Sequence, residues 1–251
     1  MTHPAIALPR LIAHRGLSAY APENTLSAVR AAHDADCPWV ELDVQLLGDG
    51  TPVIWHDATV NRCSDDRARL ADITLPEARR LDVGSWFDDR FRGERMATLR
   101  EMLALVETLD LGLNLELKVN RGRSAAALVE GVLPTLLDAL PAEKVIVSSF
   151  HAAALSHART LAPPSRLALG VLFEGIPQDW QHHCEAVTAF SVHADWKRLS
   201  RRSALAVCQA GYPLLCYTVN DPAAFAHQWR WGVAGVISDD PARFVGRLPE
   251  A

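Results

Sequence analysis

The sequence predicts a (β/α)8 (TIM) barrel, an expectation that rests on three observations. Short runs rich in Val, Ile and Leu alternate with Ala-rich amphipathic stretches, the pattern of βα units around a parallel sheet. Once a hairpin return is set aside, eight parallel strand candidates remain, and eight βα units close into a barrel. The length of 251 residues is near the limit of one hydrophobic core but ordinary for an α/β barrel, so a single catalytic-size domain over residues 1–251 is expected. A doubly wound open sheet is the competing arrangement.

In chain order, strands are read at residues 11–14, 39–44, 52–55, 113–118, 145–149, 167–172, 186–192, 214–219 and 233–238. Helices are read at 23–35, 98–109, 124–140, 152–161, 199–210, 223–231 and 241–245. The link between the second and third strands, residues 45–51, contains Gly48 and Asp49-Gly50 and is too short for a parallel crossover, so those strands pair antiparallel. After the strand that ends at His56 comes an insertion, residues 58–97, with many charges, little periodicity and the cluster Trp86-Phe87-Asp88-Asp89-Arg90-Phe91. Insertions of this length usually carry function or cover a site.

Composition narrows the classes of partner. With 25 Lys+Arg against 30 Asp+Glu, the formal charge is −5, which supplies no broad cationic field for a nucleic acid backbone. Recognition of any phosphate must be local. Five widely spaced cysteines, Cys37, Cys63, Cys184, Cys208 and Cys216, contain no C-x-x-C pair and read as free, mostly buried thiols. No secretory signal is visible, and no apolar run approaches the ~18 residues that span a bilayer. A cytoplasmic protein without stable membrane association is expected.

Two strands break the apolar rule for a buried barrel. In Val40-Glu41-Leu42-Asp43-Val44 the two acids leave one face and the three apolar residues the other. Glu116 and Lys118 repeat this in the strand 113–118, with Leu113, Leu115 and Leu117 opposite. The leucines suit helix packing, which turns the charged groups into the barrel, where isolated carboxylates are prohibitively costly. Three acids against one lysine leave two excess negative charges, which fits a divalent, oxygen-preferring ion such as Mg2+ or Ca2+. Pairing of each acid with a structural arginine is the plainer alternative.

Two histidines close strands in comparable positions: His14 after Leu11-Ile12-Ala13, and His56 after Val53-Ile54-Trp55. Alone, either is more often a satisfied core residue than a catalyst. Each is followed by a charged residue, Arg15 or Asp57, and Arg15-Gly16 suits a phosphate, with a guanidinium fork beside a closely approachable backbone. At the C-terminal mouth of a barrel these residues would supply two imidazoles, one fork and one metal cluster.

The ordered motifs His14-Arg15-Gly16, Pro22-Glu23-Asn24-Thr25, Glu41-Leu42-Asp43-Val44 and Val53-Ile54-Trp55-His56-Asp57 resemble those of the glycerophosphodiester phosphodiesterases. The resemblance continues through Glu116-Leu117-Lys118, Ser149-Phe150, Tyr217-Thr218-Val219-Asn220 and Gly235-Val236-Ile237-Ser238-Asp239, nearly the whole chain. It implies a (β/α)8 barrel with an insertion and a divalent metal held by Glu41, Asp43 and Glu116. It further implies that His14 and His56 are general acid and base, and that Arg15 and Lys118 grip phosphate oxygens. Tyr217 stands where many members carry Trp, which keeps an aromatic face on the substrate side but shrinks it and adds a hydroxyl.

Other candidates are weaker. Ser149 has no G-x-S-x-G elbow around it, so Phe150 beside it is read instead as a wall of the substrate pocket. His182-His183-Cys184-Glu185 reads as a solvated stretch, because adjacent side chains diverge too far to share an ion. His151 and His193 lie near strand ends within possible reach of the mouth, and Trp180 and Trp196 pack in the core or rim or line a head-group wall. A choline group would suit an aromatic wall, and ethanolamine, glycerol or inositol remain open. A lipid-acting phosphodiesterase of the lysophospholipase D or sphingomyelinase D type is the alternative activity, and it would want an exposed apolar or basic rim.

Overall fold

The computed structural model describes residues 2–248. Its strands are β1 (Leu11–His14), β2 (Trp39–Leu46), β3 (Pro52–Ile54), β4 (Gly112–Leu117), β5 (Val145–Ser149), β6 (Ala168–Phe173), β7 (Ser191–Asp195), β8 (Leu214–Tyr217) and β9 (Gly235–Ser238). Eight of them run parallel in the order β1-β9-β8-β7-β6-β5-β4-β2, and pairing of β1 with β2 closes the ring. That closure decides for the barrel against the open sheet. The strand β3 pairs antiparallel with the far end of β2, Val44 opposite Ile54, as the short link requires. The hairpin folds back on the mouth and so brings the residues that follow β3 to the C-terminal ends of β1 and β2.

The helices are α1 (Leu26–Asp34), α2 (Leu75–Ala78), α3 (Leu99–Thr108), α4 (Ala125–Ala139), α5 (Ala152–Leu161), α6 (Trp180–Ala186) and α7 (Arg201–Gln209). Their starts follow capping chemistry: the hydroxyls of Thr25, Thr98, Ser124 and Ser200 each accept a backbone N–H of the first turn, and Thr98 with Glu101 forms a capping box. None of the helices among the described residues is long and apolar enough to cross a membrane.

Outward-facing Val40, Leu42, Val44, Leu113, Leu115 and Leu117 join the main core against the helices. Burying each such side chain contributes about 1.5–3 kcal/mol. Inside the barrel, Ile12, Trp39, Ile146, Leu215 and Ile237 form a separate apolar cluster. Trp39 fits there because its neighbour on β4 is Gly112, where an added Cβ would lie 2.1 Å from the indole ring. The interior is therefore a packed cylinder beneath its charged mouth.

Three expectations are corrected by the structure. The strand read at 186–192 is β7 at Ser191–Asp195, because Trp180, Cys184 and Val187 recur at helical spacing and bury one side of the segment around α6. Cys184 is therefore a fully buried core residue within the stretch read as solvated. The helix read at 223–231 is a run of turns ending in a 3₁₀ helix, Gln228–Trp231. Its bonds run i→i+3, from Gln228 N to the Phe225 carbonyl and from Arg230 N to that of His227. Phe225, Trp229 and Trp231 crowd this segment, and aromatic side chains are poor helix formers.

The insertion at residues 58–97 has its own core. Val60, Cys63, Leu70, Ala78, Leu81, Val83 and Met96 pack with Leu47, Val53 and Trp55 of the hairpin. Its aromatic cluster stacks internally, Trp86 on Phe87 and Phe87 on Phe91, edge to face at 5.6 and 5.7 Å.

Candidate active site

Strand register gathers the charged residues. His14 lies opposite Glu41, Asp43 opposite Glu116, and Glu116 opposite Ser148. Glu41, Asp43 and Glu116 are 4%, 1% and 7% exposed, and one carboxylate oxygen of each lies within 4.8 Å of the others. Lys118 Nζ sits 2.7 Å from Glu116 Oε1 and 3.3 Å from Asp43 Oδ1, while Arg15 Nε stands 3.2 Å from Asp43 Oδ2. Arg15 is thus a second cation in the cluster, which leaves one excess negative charge where counting Lys118 alone gave two.

The protonation behaviour follows from this crowding. Burial, then repulsion from Asp43 and Glu116, pushes Glu41 well above the usual carboxylate range. Burial pushes Glu116 up to about 7 despite Lys118. Asp43 is held well below its ordinary value, since Lys118 and Arg15 outweigh its burial. Three converging hard-oxygen donors that repel one another are a fitting environment for a divalent cation. Asn114, beside Glu116 on β4, adds a buried side-chain oxygen with no hydrogen-bond partner on the same cavity.

Local backbone conformation sets these groups. Arg15 and Asn24 adopt left-handed φ values of +56° and +58°, an unfavourable choice for non-glycine residues that surrounding contacts must hold. Arg15 N donates to Glu41 Oε2 at 3.2 Å, and Arg15 O accepts from Asn24 N at 2.9 Å. The Asn24 amide then donates to Asp43 Oδ2 at 2.8 Å and accepts from Asp43 N at 3.2 Å. Gly16, at φ +79°, lets this turn press on α1, since an added Cβ would come 2.6 Å from the Ala28 backbone.

Both histidines are anchored through Nδ1. His14 Nδ1 is 2.6 Å from Asp239 Oδ1, and His56 Nδ1 is 2.6 Å from Asp57 Oδ1. An ionised carboxylate only accepts, so in each ring the proton belongs on Nδ1 and Nε2 is left for the cavity. His14 Nε2 is 3.8 Å from Glu41 Oε2. Burial, aided by the nearby Arg15 and Lys118, lowers the His56 pKa despite Asp43 and Asp57. Asp239 is held at about 2, because bonds from His14, Asn220 and Ser18 overcome its burial.

Six residues that sequence reasoning did not name as site residues support these groups. Asp239 and Asp57 orient the imidazoles, and Asn220 Nδ2 donates to Asp239 Oδ2 at 2.6 Å. Gln45 Nε2 reaches the carbonyl oxygens of Trp55, His56 and Asp57 at 2.9, 2.8 and 3.0 Å and so pins the chain around His56. The signals were present: Asp57 follows His56, Asp239 ends the closing motif, and Gln45 continues the inward alternation of Glu41 and Asp43. From the insertion, Arg62 bonds both Asp57 and Glu23, and Glu23 in turn holds Arg15 Nη1 at 2.7 Å.

A cavity of about 230 Å³ is lined by His14, Arg15, Glu41, His56, Glu116, Lys118, Phe150 and Tyr217, with Asp43 buried behind them. Phe150 and Tyr217 meet edge to face at 6.0 Å, and Lys118 Nζ lies 5.8 Å from the centre of the Phe150 ring. Tyr217 directs its hydroxyl to the Phe173 carbonyl at 2.9 Å. The weaker candidates lie elsewhere. His151 is exposed, His193 is fully buried against Ser191, and the Ser149 hydroxyl donates to the Leu117 carbonyl. Trp180 packs on Tyr212 and Trp196 on Phe225. Glu41, Asp43 and Glu116 form the metal-type cluster found among the described residues.

Comparison with known proteins identifies relatives along nearly the whole chain. The family model described as glycerophosphoryl diester phosphodiesterase family matches residues 14–243. A glycerophosphodiester phosphodiesterase of Caldanaerobacter subterraneus subsp. tengcongensis is 33% identical over 240 residues, 94% of this chain and 96% of the relative. Another, of Bacillus subtilis, is 26% identical over 250 residues, 93% of this chain and 84% of the relative. Among solved structures, a phosphodiesterase of Oleispira antarctica in complex with the product sn-glycerol-3-phosphate superposes with a TM-score of 0.91 at 33% identity, covering 96% of each chain.

Proposed function

Because the chain belongs to the glycerophosphoryl diester phosphodiesterase family, we propose that it hydrolyses small glycerophosphodiesters, of the glycerophosphocholine kind, to glycerol phosphate and an alcohol. The observation that carries the reading is the convergence on one cavity of two carboxylate-anchored imidazoles, a buried acid triad and two cations. The product bound to the Oleispira antarctica enzyme, sn-glycerol-3-phosphate, supports glycerol phosphate as the product here.

Hydrolysis of a phosphodiester needs charge offset on nonbridging oxygens, a deprotonated nucleophile and a protonated leaving group. Arg15 and Lys118 present N–H donors to the nonbridging oxygens. His14 and His56 divide the two proton transfers, one taking the proton of the nucleophile and the other delivering one to the leaving oxygen of an in-line displacement. Their Nδ1 anchors fix each ring so that Nε2 is the nitrogen that exchanges the proton. The nucleophile is water or the neighbouring glycerol hydroxyl, the latter giving a cyclic phosphate that water opens. Glu41, Asp43 and Glu116 would hold one divalent ion, Mg2+ or Ca2+, which supplies further Lewis-acid charge offset when bound. Phe150 and Tyr217 form the aromatic wall for the alcohol group.

Barrel and insertion act as one catalytic unit in this reading, supported by the bonds from Arg62 to residues at the mouth. A cytoplasmic setting is supported by five free cysteines, four of them buried. The test is product release from glycerophosphocholine, glycerophosphoethanolamine, lysophosphatidylcholine and micellar phospholipid in the presence of Mg2+ or Ca2+. The expected result is the highest kcat/KM on a water-soluble diester. No turnover of any glycerophosphodiester would overturn the reading, and preference for the lipid substrates would transfer the activity to the lysophospholipase D type. Trapping a cyclic phosphate in single turnovers separates the two nucleophiles.

A further inference from the structure

We propose that Arg62, in the insertion, is a positioning residue whose single guanidinium sets the His56 ring and the Arg15 fork in one mutual register. The inference rests on the roles given above to His56 and Arg15. Arg62 Nε and Nη2 bond Asp57 Oδ2 and Oδ1 at 2.6 and 3.1 Å, while Nη1 and Nη2 bond Glu23 Oε2 and Oε1 at 2.6 and 2.8 Å. Asp57 Oδ1 is also the acceptor for His56 Nδ1, and Glu23 Oε1 the acceptor for Arg15 Nη1. One rigid, planar cation thus forks two carboxylates, and each carboxylate passes the constraint to a different group at the cavity.

Arg15 is shared between Glu23 and Asp43, and Arg62 bridges Glu23 and Asp57, so what Arg62 adds to the site is the geometry of its fork as well as its charge. Lysine cannot replace it, because a point charge does not span two carboxylate planes. Arg62 leaves the loop that begins at the Thr59–Arg69 bridge. The insertion therefore reaches the chemistry through this side chain without lining the catalytic cavity.

The experiment is a kinetic cycle on the full chain. Arg62→Ala is expected to lower kcat and to raise KM, together ~10–100-fold in kcat/KM. Asp57→Asn should fall mainly on kcat, through His56, and Glu23→Gln mainly on KM, through Arg15. In the double variant R62A/D57N, kcat should fall no further than in the worse single variant, since both act through one imidazole. Losses that multiply, or Arg62→Lys with wild-type constants, would overturn the proposal. Arg79→Ala removes a different tie of the insertion to the barrel, to Glu101, and is expected to keep kcat within about twofold. An equal loss there would reduce Arg62 to general anchoring of the insertion. Imidazole 15N and 1H shifts of His56, read without substrate, should report one sharp Nδ1–H resonance in the wild type and a shifted or broadened one in Arg62→Ala, where Asp57 loses its fixed position. An unchanged Nδ1–H resonance would overturn the proposal even if the wild type turned over no glycerophosphodiester, which keeps the two readings separable.

Discussion

Asp239 Oδ1 lies 2.6 Å from His14 Nδ1 and joins the end of the last barrel strand to the end of the first. Closure of the barrel and orientation of an imidazole are here the same contact, because β9 pairs with β1. The carboxylate is itself fixed by Asn220 and Ser18.

This contact makes the tautomer of His14 testable. Asp239→Asn leaves a side chain of the same shape whose NH2 can donate to Nδ1, which moves the ring proton to Nε2. The expected loss in kcat is ~10²–10⁴-fold with little change in Tm. His14→Ala and His56→Ala should each lose at least as much. Steady-state kinetics on glycerophosphocholine is the measurement, and near-normal turnover in any of the three would remove that residue from the proton transfers.

The acid triad gives a second expectation. Glu41 carries its proton far above the usual carboxylate range through burial and through repulsion by its two neighbours. Removing that carboxylate relieves the cost of burying it among acids and, in the proposed assignment, takes away a metal donor. Glu41→Gln should therefore raise the Tm of the chelated protein at pH 7–8 while weakening Mg2+ or Ca2+ binding by ~10-fold or more. Calorimetric titration and thermal melts with and without chelator separate the two effects. Full activity of the wild type in excess chelator would end the metal assignment.

Much of this site was legible before any coordinates, because period-two alternation on a buried strand leaves charged residues only one direction to face. Glu41, Asp43 and Glu116 were placed by that rule, and register then brought Asp43 opposite Glu116. The share of Arg15 in the cluster was not legible, since it depends on a left-handed backbone at φ +56° that turns the side chain towards Asp43. The partners of Asp239 and Arg62 were hidden for another reason: His14 lies 225 residues from Asp239 and Glu23 lies 39 from Arg62, and only barrel closure or docking of the insertion makes them neighbours. The misplacement of β7 has a local cause, since Ala186, Val187 and Ala189 read equally well as a strand start or as the end of an amphipathic helix.

Lys118 occupies two positions at once, beside the acids and on the wall of the cavity. A charge-assisted bond to a phosphate oxygen is worth about 1.5–3 kcal/mol, so Lys118→Ala should lower kcat/KM by ~10–100-fold or more. The same change leaves Glu116 without a cation partner and Asp43 with Arg15 alone, so metal affinity should rise rather than fall as negative charge accumulates. Opposite movement of kcat/KM and metal affinity is the signature sought. A parallel fall in both would show that Lys118 chiefly keeps the triad in shape.

His193 offers a test of the barrel interior that does not depend on the chemistry. It is fully buried, with Ser191 Oγ 2.9 Å from Nε2 and with Nδ1 unpartnered, and burial lowers its pKa to about 3. In the unfolded chain the ring titrates near ~6.5. Above that pH both states hold a neutral ring and the residue adds no pH dependence. As pH falls from about 6.5 towards 3, the unfolded state binds a proton that the folded state refuses, so stability declines by up to about 1.4 kcal/mol per pH unit from this group. Urea unfolding of wild type and His193→Gln across pH 7.5 to 4.5 isolates the contribution. The variant should be less stable at pH 7.5, by about 1–3 kcal/mol, and the gap should narrow steadily as the pH falls. A gap that stays constant would mean that water or a polar neighbour reaches the ring and lets it ionise inside the barrel.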